Sequence, residues 1–183
     1  MATMLLAREV PPVGGDTMFC DAYAMYEGLP PNVQKQCQGL TALHVGAPHH
    51  GVWTCEHPVL RTHPETGGTT LNVSPGFTRS IIGLSQEESE KLLSKLHRQA
   101  GAPEYTCRFR WENGSLAFYD NRSCQHCAVA DFWPHSRKLD RITLLDKEYP
   151  REPYYVSPSG AKVHGSEQIH GGGGIEYRRQ AKI

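Results

Sequence analysis

The first nine residues, MATMLLARE, form an apolar run that stops at Arg8 and Glu9, and they predict a short strand. VPPVGGDT follows, and its Pro and Gly content predicts a turn. DAYAMYEGL and PNVQKQCQGL predict two short helices, the second because Val33, Cys37 and Leu40 recur at helical spacing. The clearest helix is SQEESEKLLSKLHRQAG. Ser85 can cap it, Glu88 stands where a capping box needs it, and Leu92, Leu93 and Leu96 make one apolar stripe. Gly101 and Pro103 end it.

Beyond that helix the apolar period changes to two. EYTCRFRW alternates, ENG signals a tight turn, and SLAFYDN is expected to return as the second strand of a hairpin. HPVLRTHPETGGTTLNV reads as another strand, turn and strand. Many short strands joined by turns, with helices confined to insertions at about 21–39 and 86–100, predict a mainly β chain with α insertions, a jelly roll or barrel-like sandwich. From about residue 151 the pattern is lost, and SPSGAKVHGSEQIHGGGGIEYRRQAKI predicts a flexible Gly-rich tail over 151–183 after one domain over 1–150.

Composition narrows the partners. The 183 residues carry 19 basic and 19 acidic side chains, so nothing draws the chain towards nucleic acid or an anionic membrane. No stretch is apolar enough to span a bilayer and the start lacks a basic leader, which together predict a soluble, cytoplasmic protein. Six scattered cysteines in a chain of this size read as mostly reduced, buried thiols. Ten histidines keep metal chemistry open.

The candidate chemistry lies in DNRSCQHCAVADFWPHSRKLDRITL. A lone histidine such as His126 is ordinarily a satisfied structural residue. Here Arg137 and Arg141 follow it, and on a strand Arg137, Leu139 and Arg141 share one face. Two arginines on the inner face of a small barrel need anionic partners, whereas a solvated edge strand would need none. Cys124 and Cys127 form a CxxC, and Cys55 with His57, or His135, are candidates to complete a zinc site, but no second CxxC exists. A redox pair would open a helix, and a strand precedes this one.

Three segments, LLAREVPPVGGDTMFCD, HPVLRTHPETGGTTLNVSPGFTRSIIGLSQEES and DNRSCQHCAVADFWPHSRKLDRITLL, together resemble the TauD/TfdA family of taurine-type Fe(II)/2-oxoglutarate-dependent dioxygenases, in family order over residues 1 to about 148. The resemblance implies a double-stranded β-helix, or jelly roll. It implies an enzyme that uses Fe(II), O2 and the co-substrate 2-oxoglutarate to hydroxylate a small anion such as taurine or another sulfonate. His126 would be the distal histidine of a two-histidine, one-carboxylate iron site. Arg137 and the Thr17 hydroxyl would hold the remote carboxylate of 2-oxoglutarate, since a planar guanidinium pairs both its oxygens. Arg141 would grip the anionic head of the substrate.

The family's HxD pair of metal ligands is absent from the 183 residues. The only HxE, His63–Pro64–Glu65, lies in a segment that matches a turn of the family. The expected barrel is accordingly N-terminally incomplete, with an exposed sheet edge that leaves homo-oligomer formation open. Two alternatives stand beside the enzyme: a protein of the same fold that binds 2-oxoglutarate or another anion without turnover, and an interaction protein that pairs through that edge.

Overall fold

A computed structural model of the chain describes residues 1–46 and 54–144, together with the backbone of Tyr155–Val156 and Lys162–Val163. Most of the expected tail over 151–183 lies outside the described residues. Within the tail the two dipeptides pair as short antiparallel strands.

Two three-stranded antiparallel sheets face each other. In the first, β1 (Ala2–Glu9) is central, flanked by β9 (Leu116–Asp120) and β11 (Lys138–Leu144). Its alternation is that of a half-buried strand: Thr3, Leu5 and Ala7 are buried and the residues between them are not. In the second, β2 (Thr17–Asp21) is central between β8 (Thr106–Phe109) and β10 (Cys124–Ala128). The facing sides meet through aromatic rings, Phe19 of β2 against Tyr119 of β9 at 5.0 Å between centroids, and Phe109 at the end of β8 packs on Trp111 just beyond it at 4.8 Å.

The predicted hairpin of EYTCRFRW with SLAFYDN does not form. β8 pairs with β2, while β9 pairs with β1. The turn itself is real, since Ser115 N donates to Glu112 O at 2.9 Å and Gly114 takes a φ of 85°. It carries the chain from one sheet to the other instead of back along the same one. Trp111, 3% exposed, is buried at that corner, where pairing β8 directly with β9 would forfeit its cover.

A third sheet, β3 (Thr41–Val45) between β4 (Thr54–Pro58) and β7 (Thr78–Ile81), and a hairpin of β5 (Leu60–Thr62) with β6 (Thr69–Leu71) complete the described strands. These pack with α1 (Ala22–Glu27), α2 (Pro31–Cys37) and α3 (Gln86–Gln99) around the larger core, which includes Met25, Cys37, Val59, Leu71, Ile81 and Leu96. Both bonds of the Ser85–Glu88 capping box are present, and the stripe of Leu92, Leu93 and Leu96 is buried as expected. Among the described residues no helix is long and apolar enough to cross a membrane.

Candidate functional site

The Pro- and Gly-rich turn after β1 is shaped around an arginine. Gly14 and Gly15 both take a φ of 73°, which favours glycine, and Gly15 N donates to Asp131 Oδ1 at 2.8 Å. A Cβ on Gly14 would lie 2.5 Å from that same Asp131 oxygen, and one on Gly15 would lie 2.8 Å from Pro11 and 3.2 Å from Arg137 Cδ. The double glycine thus lets the turn close over the Arg137 stem.

At the end of that stem, Arg137 Nη2 donates to Thr17 Oγ1 at 2.7 Å, and the buried Trp111 Nε1 donates to the same oxygen at 3.0 Å. A hydroxyl has two lone pairs and one proton. Both lone pairs of Thr17 are engaged, so its proton is free to donate to an incoming acceptor. The guanidinium lies 5.9 Å from the Trp111 ring centroid. Arg137 Nε is buried without a hydrogen-bond partner. Among the described residues no carboxylate reaches Arg137 within ion-pair distance. Burial lowers its pKa, and the more distant Asp16 opposes that shift. Arg137 is thus a half-buried cation whose buried Nε–H remains able to donate to an anionic acceptor.

His126 lies one inner row away. In the register of β2 with β10 it stands opposite Phe19, while Thr17 stands opposite Ala128. Two residues along a strand separate those rows by about 7 Å. The His126 residue reaches solvent, yet its ring packs near Phe19 and Tyr119. Its pKa is lowered, first because those neighbours shield it from water and then because Arg141 and Arg137 oppose a further positive charge. His126 Nε2 lies 3.2 Å from the Tyr119 hydroxyl, whose own pKa burial pushes up to about 12. Arg141 pairs in register with Leu5 of β1, on the same inward face as Thr3 and Ala7. It makes no ion pair among the described residues, and its charge is felt by both Tyr119 and His126. Arg137 itself immediately precedes β11 rather than lying within it.

The four residues singled out in the sequence, Thr17, His126, Arg137 and Arg141, therefore stand around the space between the two facing sheets. Tyr119 and Trp111 complete the arrangement, and no local signal marked them, because both matter only through partners on the opposite sheet. His126 is a single imidazole: among the described residues no three His, Cys, Asp or Glu side chains converge as a metal site. Cys124 and Cys127, three residues apart on β10, project to opposite faces. Cys55 Sγ meets His57 Nε2 at 3.2 Å, a pair and not a zinc set. All six cysteines are free; Cys20, Cys37 and Cys55 are buried, while Cys107 and Cys127 are exposed, so the expectation of mostly buried thiols is met by only half of them.

Residues 1–143 match the family model described as "Taurine catabolism dioxygenase TauD, TfdA family". A provisionally named alpha-ketoglutarate-dependent sulfonate dioxygenase of Schizosaccharomyces pombe is 38% identical over 153 residues, which cover 76% of this chain and 39% of that protein. An alkylsulfatase of Acinetobacter baylyi is 34% identical over 156 residues, covering 74% of this chain and 49% of that one. The crystal structure of a taurine dioxygenase from Burkholderia xenovorans superposes with a TM-score of 0.76 at 40% identity, over 90% of this chain and 59% of that one. The chain spans about half the length of these curated relatives, or less.

Proposed function

The chain belongs to the TauD, TfdA family and has its jelly-roll fold, and from that premise we propose that it serves the 2-oxoglutarate-dependent hydroxylation of a small anionic substrate, a sulfonate or sulfate ester being the class its relatives are named for. Arg137 and Thr17 receive the remote carboxylate of 2-oxoglutarate. One observation carries this reading: a half-buried guanidinium already docked on Thr17, with a buried spare Nε–H and no carboxylate partner among the described residues. A bound carboxylate would take Nε–H, a second guanidinium N–H and the free Thr17 proton, satisfying all three at once.

Iron(II), when bound, supplies the dioxygen chemistry of this reaction class, and the protein contributes binding, orientation and water exclusion. His126 is our assigned metal ligand. The described residues do not make a complete metal site by themselves, so an iron centre built on His126 requires ligands from outside them. Arg141, inward-facing and free of ion pairs among the described residues, is the assigned partner of the substrate anion. We place the protein in the cytoplasm, in keeping with six unpaired thiols.

The test is Arg137→Ala with 2-oxoglutarate binding followed by calorimetry. Loss of a buried charge-assisted pair costs about 2–5 kcal/mol, so affinity is expected to fall by about 30-fold or more. Unchanged affinity removes the assignment. The second reading, anion binding without turnover, is favoured by the solitary His126. Fe(II)-dependent oxygen uptake coupled to succinate release decides against it.

A further inference from the structure

Six residues before His126, and on the other face of β9 from Tyr119, Asp120 is the hub of a second polar network that the proposed chemistry leaves unused. His63, 4% exposed, ends the approach to the HPET turn. Its Nδ1 accepts from the backbone N–H groups of Glu65 and Thr66, both at 3.3 Å. An imidazole nitrogen that accepts is unprotonated, so in the neutral ring Nε2 carries the hydrogen and donates it to Asp120 Oδ2 at 3.2 Å. Asp120 also accepts from Arg122, from its backbone N at 2.7 Å and from its Nη2 at 2.5 Å, and Arg122 Nη2 reaches on to Glu65 Oε1 at 2.9 Å. The Arg122 side chain is only 7% exposed.

Two turns that are 57 residues apart in the chain are thereby riveted together, and one of them leads directly into the candidate site. Asp120 closes β9, so fixing it fixes the inward-facing Tyr119 beside it. Residues 121–123 then deliver the chain into β10, and His126 with it. The other side of this turn is held by Asn121, which exchanges hydrogen bonds with Thr3. Between them these contacts set where the Tyr119 hydroxyl and His126 Nε2 meet.

We infer that His63 is a positioning residue that holds the Tyr119–His126 pair in place through Asp120. His63 itself touches neither ring of that pair. The inference rests on the proposed function only in giving His126 a metal to bind; the coupling from His63 to His126 stands or falls without one.

The experiment is imidazole 15N NMR on the whole chain, metal-free, with thermal unfolding measured alongside. In His63→Leu the His126 resonances are expected to shift or split, because Asp120 loses the one donor that ties it to the HPET turn directly and the β9–β10 turn loosens. In His63→Gln, whose side-chain amide can still donate to Asp120, they are expected to return towards the wild-type position. A fall in melting temperature with unmoved His126 resonances would show a rivet that only stabilises, and would overturn the inference. Should His63→Leu fail to fold, Glu65→Gln, at an exposed position, loosens the same network from its outer end. A smaller His126 shift in the same direction supports the inference, and none overturns it. A failed Arg137→Ala test strips His126 of its proposed chemistry but leaves these shifts intact, so the two failures are distinguishable.

Discussion

Two regions bury an ionisable group, with opposite outcomes. In the larger core, beside β3, β4 and α3, burial drives the pKa of His44 down to about 4 and that of His57 to about 3, from an ordinary value of 6.5. Both rings are neutral at physiological pH, and the apolar core carries no charge from them. Between the facing sheets, Arg137 is also withdrawn from water, and its pKa also falls. A guanidinium cannot shed its proton at any physiological pH, so this region keeps a cation that the fold does not neutralise. The first region is built for stability. The second keeps its charge beside the small apolar cluster of Leu5, Ala7 and Trp111, as the proposed anion site requires.

The comparison can be broken most forcefully from the apolar side. Leu96 is 0% exposed at the centre of the larger core. Leu96→Ala is expected to cost about 2–5 kcal/mol of stability in denaturant titration, while folded protein keeps its 2-oxoglutarate affinity. A loss of affinity without loss of stability would show that the regions are not separate. From the polar side, Thr17→Val keeps the shape but leaves Arg137 Nη2 and Trp111 Nε1 without their acceptor. An expected cost of about 1–3 kcal/mol comes with weaker 2-oxoglutarate binding, both read on one protein sample.

Acid sharpens the contrast by smaller steps. Well above pH 6.5 the two histidines are neutral in folded and unfolded chains alike. As the pH falls from 6.5 towards about 4 for His44 and about 3 for His57, the unfolded chain takes up protons that the folded core refuses. Stability should therefore drop with falling pH through that window, with a slope approaching about 1.4 kcal/mol per pH unit for each ring. His44→Phe should flatten the curve, and an unaltered slope would show that His44 is not held neutral.

Much of this architecture was legible locally. Ser85, Glu88 and the three leucines specify α3, since a cap and an apolar stripe act within a few residues of one another. The short strand β1, the GGDT turn and the β5–β6 hairpin are local in the same sense. The quoted family segments brought Thr17, His126, Arg137 and Arg141 to notice together. No period or spacing in the chain says that β8 and β9 belong to different sheets, because a turn signal specifies the reversal and not the partner strand. Likewise HPET reads only as a turn until Asp120 is seen against His63.

What the chain's own pattern determined, then, is the capped helix α3, the first strand, the two short helices and the turns, while strands such as β2 and β3 carried no local signal. The tertiary structure alone decided which faces meet, and with them the contacts of Thr17 with Arg137, 120 residues apart, and of His63 with Asp120, 57 apart. The reason is physical. Propensity and capping are summed over neighbouring residues, whereas a polar contact between sheets depends on which apolar faces bury each other, and that is settled by the whole chain at once.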